Sequence, residues 1–144
     1  MVASVISRSS GITEDRFTTE RNDCAVIALQ HALNISYKDA HNVLAGIGRK
    51  NRHGVVTSAW IKLLNDHSSF VRMTNEHRVK AYCKYTGERK LMIKKMTVGK
   101  MIEKNPNKTF IVNVRGHTFC VKNSTVIDWR VKPKEKVLYA WEVI

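Results

Sequence analysis

Apolar residues in the first half of the chain recur at intervals of three and four, which is the helical period. In the segment CAVIALQHAL, Ala25, Leu29 and Ala32 fall on one side, and Ala28 and His31 widen the stripe. Asn22 or Asp23 is placed to cap this helix, which is expected over Cys24 to Leu33. Its small residues suit a helix closely packed in the centre of the molecule. A second helix follows Ser36 as N-cap, with Tyr37, Ala40, Val43, Leu44 and Ile47 at helical spacing and Gly46 and Gly48 ending it. Thr57 is placed to cap a third helix with Trp60, Ile61 and Leu64 as its stripe.

The period changes after about residue 70. Phe70 to Met73, Val79 to Tyr85 and Leu91 to Ile93 read as short strands or irregular links. Thr97 to Lys104 reads as a short helix facing inward through Val98, Met101 and Ile102, and Asn105-Pro106-Asn107 stops it. The remainder is rich in strand-forming residues: Thr109 to Val114, His117 to Lys122, Thr125 to Trp129 and Val137 to Val143, with Gly116 and Asn123-Ser124 as breaks. Helices first and strands later give an α+β class, N-terminal helices on a C-terminal antiparallel sheet. The 144 residues fit one domain, with residues 1–19 as an irregular leader.

Composition narrows the setting. Hydrophobic residues make up 43% of the chain, enough for a packed core. Three cysteines, Cys24, Cys83 and Cys120, are too few and too widely spaced for a disulfide framework, which points to a reducing, cytoplasmic compartment. No cysteine–histidine spacing resembles a zinc site, so neither a metal nor another cofactor is expected. No stretch approaches the ~20 apolar residues of a membrane span. The 25 Lys and Arg against 12 Asp and Glu leave a formal charge of +13, which draws the chain towards nucleic acid or acidic partners. That charge concentrates in Arg49 to His53, Lys84 to Lys104 and Arg130 to Lys136.

One set of residues carries candidate chemistry. A cysteine attacks as the thiolate, and a helix N-terminus stabilises that anion through unpaired N–H groups and the helix dipole. Cys24 stands at such a position. His117 follows Gly116, which allows close approach of another chain or a substrate, and opens a strand. If the turn at Asn123-Ser124 has an even number of residues, Val121 faces Val126 and Phe119 faces Asp128, so that His117 lies diagonal to Asp128 on one face. An odd-length turn would put the two on opposite faces. On the same face, the Asp128 carboxylate can hold the imidazole in orientation, as the third member of a triad does. Cys120 has the opposite parity from His117, which argues against a catalytic role for it.

The order Cys, His, Asp, with the cysteine opening an N-terminal helix, resembles the papain-like cysteine peptidase superfamily, in particular its small bacterial and bacteriophage members. The stretches that carry the resemblance are RNDCAVIALQHAL (Arg21 to Leu33) and RGHTFCVKNSTVIDW (Arg115 to Trp129), together with the helix–turn–strand leading into His117. The resemblance implies a papain-like fold, attack of the Cys24 thiolate on a peptide or isopeptide carbonyl, an acyl-enzyme, and release by water or another acceptor. It also implies a cleft between helices and sheet for a peptide or protein substrate, with Trp60, Gly116 and Trp129 as candidate lining and the basic loop of Arg49 and Arg52 as a flank. The family commonly has a glutamine oxyanion donor six residues before the cysteine. Here that position is Thr18, and Asn22 is the nearer amide, with the backbone N–H of Cys24 as the other donor. The competing reading is a non-enzymatic basic module, or an inactive papain-like domain, binding nucleic acid or protein.

Overall fold

The computed structural model describes residues 7–17, 22–50, 52–128 and 130–144. These residues form a mixed α+β architecture in which three N-terminal helices and one later helix pack on a six-stranded sheet. The elements run β1 (Ser7–Ser9), α1 (Cys24–Leu33), α2 (Tyr37–Gly46), α3 (Thr57–Asp66), β2 (Phe70–Met73), β3 (Glu76–Cys83), β4 (Glu88–Lys95), α4 (Val98–Lys104), β5 (Thr109–Val114), β6 (His117–Lys122), β7 (Thr125–Ile127) and β8 (Tyr139–Val143). The main sheet has the order β1-β7-β6-β5-β8-β2, and β3 and β4 form a separate two-stranded ribbon.

The alternation of side chains along a strand divides the core into two layers. Ile111, Cys120, Ile127 and Trp141 turn to the face covered by α1, α2 and α3, where Leu29, Tyr37, Leu44, Trp60 and Leu64 are buried. Phe110, Val112, Phe119, Val121 and Val126 turn to the other face, against Val98, Met101 and Ile102 of α4. Burying a side chain such as Leu29 contributes about 2 kcal/mol relative to exposure, so each layer alone outweighs any surface ion pair in the molecule. Trp141 also donates Nε1–H to Asn65 Oδ1 at 2.8 Å, fastening the end of α3 to β8.

Local chemistry explains most boundaries. Ser36 Oγ accepts from Asp39 N–H at 3.1 Å and Thr97 Oγ1 from Lys100 N–H at 3.2 Å, so α2 and α4 have side-chain N-caps. Asn123 and Ser124 both take positive φ, 48° and 67°, which makes the β6–β7 connection a two-residue hairpin turn. The register is therefore the even one: Val121 pairs Val126 and Lys122 pairs Thr125.

Several expectations from the sequence are corrected. Thr57 is the first residue of α3 rather than its cap, which is Val56. Asp23 occupies the N-cap position of α1 but makes no capping bond, because its carboxylate is held by Arg16 and Tyr37. The leader is not wholly irregular: Ser7–Ser9 pairs in parallel with Thr125–Ile127 and forms one edge of the sheet, the single parallel pair among otherwise antiparallel ones in the described residues. The leader can lie this close because Gly11 has no side chain. A Cβ there would stand 2.3 Å from Ile127 Cγ2 and 2.9 Å from Ile27 Cγ2. The last strand begins at Tyr139 rather than Val137, and β7 ends at Ile127.

Candidate active site

The Cys24 end of α1 meets the His117 end of β6, and the strand after the Asn123-Ser124 turn delivers Asp128 beside them. Gly116 is held at φ +74° in the turn before His117, with no neighbour within 4 Å of where a Cβ would stand. The position combines a backbone conformation that glycine tolerates best with open space above it.

His117 Nε2 lies 2.5 Å from Asp128 Oδ2, both side chains largely shielded from solvent. Asp128 is in turn oriented by the Arg130 backbone N–H, which donates to Oδ1 at 2.7 Å. Cys24 stands near enough to His117 for the two groups to shift each other's protonation. The three groups shift one another. Burial lowers the His117 imidazole's affinity for its proton, but the hydrogen bonds to Asp128 and Cys24 outweigh it and raise its pKa from 6.5 to about 9. Burial pushes the Asp128 carboxyl up, and the bonds from His117 and Arg130 N–H overcome this and hold it at about 2. Burial likewise opposes the Cys24 thiolate, yet the hydrogen bond and charge of His117, the Thr118 N–H and the charge of Arg130 leave the thiol below its ordinary value. Cys120 makes the contrast: buried with no such partners, its thiol is pushed up to about 12.

The helix N-terminus adds to this. The first intrahelical bond is Ile27 N–H to Asp23 O at 2.9 Å, so the N–H groups of Cys24, Ala25 and Val26 precede the helical ladder. A carboxylate immediately before Cys24 would oppose a thiolate there. Arg16 offsets it, with Nε 2.9 Å from Asp23 Oδ2 and a second guanidinium nitrogen 3.0 Å from Oδ1, while Tyr37 O–H donates to Oδ2 at 2.7 Å. This clamp was not legible in the sequence, since Arg16 and Asp23 belong to no periodic pattern.

Cys24 lies between two depressions. One, of about 310 Å³, is lined by Val55, Trp60, Val114, Leu138 and Tyr139 together with Gly116 and His117. The other, of about 370 Å³, is lined by Arg16, Asn22, Asp23, Asp128 and Arg130 with Ile12 and Ile127. One side of the thiol is thus mainly apolar, and the other mixes isoleucines with two arginines and two aspartates. Trp60 forms part of the apolar wall but is itself buried, with Nε1–H shared between Asn113 Oδ1 at 3.0 Å and Thr118 Oγ1 at 3.2 Å. Asn113 and Thr118 are further site residues that the sequence reading missed.

The other candidates fall as follows. Asn22 borders the charged depression, and its Nδ2 donates to Arg52 O at 3.1 Å, tying the segment before Cys24 to the basic loop. Arg52 is exposed and takes φ +66°. Arg49, offered as a flank of the cleft, is buried, and its backbone N–H closes the end of α2 on Leu44 O at 3.0 Å. The loop reaches the groove instead through Gly54 and Val55. Thr18 and Trp129 lie outside the described residues. Among the described residues no cluster of His, Cys, Asp and Glu is arranged to hold a metal, and no helix is long and apolar enough to cross a membrane. Comparison of the chain with family models, with curated proteins and with solved structures gave no match.

Proposed function

We propose that the protein is a papain-like cysteine hydrolase that cleaves peptide or isopeptide bonds through Cys24, His117 and Asp128. The observation that carries this reading is the 2.5 Å contact between His117 Nε2 and Asp128 Oδ2, beside a cysteine at the start of a helix whose thiol His117 helps to hold below its ordinary pKa. The residue order and the packing of a cysteine-bearing helix on an antiparallel sheet agree with the papain-like resemblance.

In this reading the Cys24 thiolate attacks the substrate carbonyl carbon, and the developing oxyanion meets N–H groups at the start of α1. Asn22, with one amide hydrogen committed to Arg52 O, offers the second. The C–N bond breaks as the His117 imidazolium gives its proton to the departing amine. A thioester remains, and water, deprotonated by His117, releases the acid and restores the thiolate. Asp128 holds the ring in place and stabilises its charged form throughout. A reducing cytoplasmic location fits a thiol that must stay free.

The test is labelling with a mild alkylating probe across pH on wild type, Cys24→Ala and His117→Ala. The expected result is one site that reacts well below the pH of a free thiol, is absent from Cys24→Ala, and loses its low-pH reactivity in His117→Ala. Uniformly slow labelling indifferent to His117 would overturn the reading.

A further inference from the structure

The ribbon of β3 and β4 stands apart from the rest of the fold. Its eight paired positions run from Glu76–Lys95 to Cys83–Glu88, about 26 Å at the usual rise of a strand. Neither outer edge is paired with another described strand. Its root is nonetheless firmly held. Asn75 Nδ2 donates to Val137 O at 2.8 Å and Leu138 O at 3.0 Å, and Met96 N–H to Asn75 O at 2.7 Å.

Charge and exposure coincide on this ribbon. Between Glu76 and Lys95 there are more Lys and Arg than Glu, with cations on both strands. Cross-strand pairs share a face, so one face carries Arg78 opposite Ile93, Lys80 opposite Leu91 and Tyr82 opposite Arg89. Tyr82 (66%), Leu91 (61%) and Ile93 (63%) are exposed there, so no part of the described fold covers them. Each of these three pairs combines one cation with one apolar or aromatic side chain, and the fourth pair on this face sets Lys95 opposite Glu76. Lysines that merely guard a strand edge against aggregation would not require those neighbours. At the root, burial and then the positive charges of Lys104, Lys100 and Lys136 hold His77 below its ordinary pKa, so the same sign of field continues onto α4.

We propose that the β3–β4 ribbon is a docking element for duplex DNA, inserted along the major groove. A two-stranded ribbon matches the width of that groove, and cations on both strands can reach the phosphates of both walls. The aliphatic and aromatic side chains between them meet base edges and thymine methyl groups. The checkerboard arrangement argues against an acidic membrane, which needs an apolar face segregated from a charged one. The deep, narrow major groove of duplex RNA excludes such a ribbon. Because Asn75 ties the root to the carbonyls of Val137 and Leu138, and Leu138 lines the apolar depression beside Cys24, docking would bring DNA-bound protein within reach of the groove.

The test uses the full chain and a fluorescently labelled duplex of about 20 base pairs, long enough to hold the ribbon in its major groove, with affinity followed by anisotropy across NaCl concentration. The quadruple variant Arg78→Gln/Lys80→Gln/Arg89→Gln/Lys95→Gln should bind at least about tenfold more weakly. Its log–log salt slope should flatten by about three to four, near 0.9 for each phosphate that is no longer neutralised. Independently of any variant, the duplex should protect Lys80 and Lys95 of the wild type from acetylation while leaving Lys38 as reactive as before. Cys24→Ala should bind like wild type, which separates this inference from the hydrolase reading. Wild-type binding by the quadruple variant, or equal acetylation with and without the duplex, overturns the proposal. So does tighter binding to the matching single strand, to anionic vesicles or to polyglutamate.

Discussion

Asp128 reaches His117 across a hairpin whose two turn residues, Asn123 and Ser124, both adopt left-handed backbone, leaving Oδ2 2.5 Å from Nε2. Asp128→Asn keeps the shape but replaces the charge with an amide dipole. Its imidazolium should lose its proton well below the wild-type value of about 9. Losing a hydrogen bond between charged partners removes about 1.5–3 kcal/mol, so Cys24 labelling near neutral pH should slow by about 10- to 100-fold. An NMR titration of His117 and the alkylation rate against pH measure both. An unmoved titration would show that Asp128 does not hold the ring.

The same pair gives stability a defined pH dependence. His117 binds its proton more tightly folded, at about 9, than unfolded, at 6.5, so its contribution is complete below pH 6.5 and fades as pH rises through 9. Asp128 behaves oppositely: its contribution is present above pH 3.8 and is lost as pH falls towards about 2. The difference in urea midpoint between wild type and His117→Gln should therefore be steady between those two windows and shrink as pH approaches about 9. A difference that grows over that upper range would contradict this.

Trp60→Phe should destabilise the fold by about 1–3 kcal/mol. The ring is buried, and its loss of Nε1–H leaves the buried Asn113 Oδ1 and Thr118 Oγ1 without their donor. For a chain of this length that is a fall of roughly 2–4 °C in Tm per kcal/mol. Thermal unfolding by circular dichroism checks it, and a Tm equal to wild type would show that the indole bond contributes nothing net.

Gly116→Ala should lower stability by about 1 kcal/mol, entirely through φ +74°, since open space surrounds the position. Gly116→Asn, a residue that tolerates left-handed backbone, should recover part of the loss. Equal Tm values for wild type, Ala and Asn would mean the turn relaxes without cost.

The sequence made the grouping of Cys24, His117 and Asp128 easier to read than its surroundings. The helix start at Cys24 was legible because Asn22 and Asp23 precede an apolar run. The shared face of His117 and Asp128 was legible only on condition of an even-length turn, which the left-handed Asn123 and Ser124 provide. The burial of Arg49 was not legible, because a charged residue in a basic loop carries no sequence signal for it. The Arg16–Asp23 clamp and the parallel pairing of Ser7–Ser9 depend on contacts between segments with no hydrophobic period of their own. The β3–β4 ribbon was only half seen, because both its faces mix lysine with apolar residues and the alternation that marks a half-buried strand is absent from β4.

The sheet order has a consequence for the newly made chain. α1 emerges from the ribosome long before β5, β6 and β7, the strands that bring Thr118, His117 and Asp128 to it. Until that C-terminal part has been translated and has paired, Cys24 is a thiol without its imidazole partner. Cys24 therefore gains its imidazole partner only as the last quarter of the polypeptide, from Thr109 onward, folds, and an incomplete translation product carries an ordinary thiol at that position.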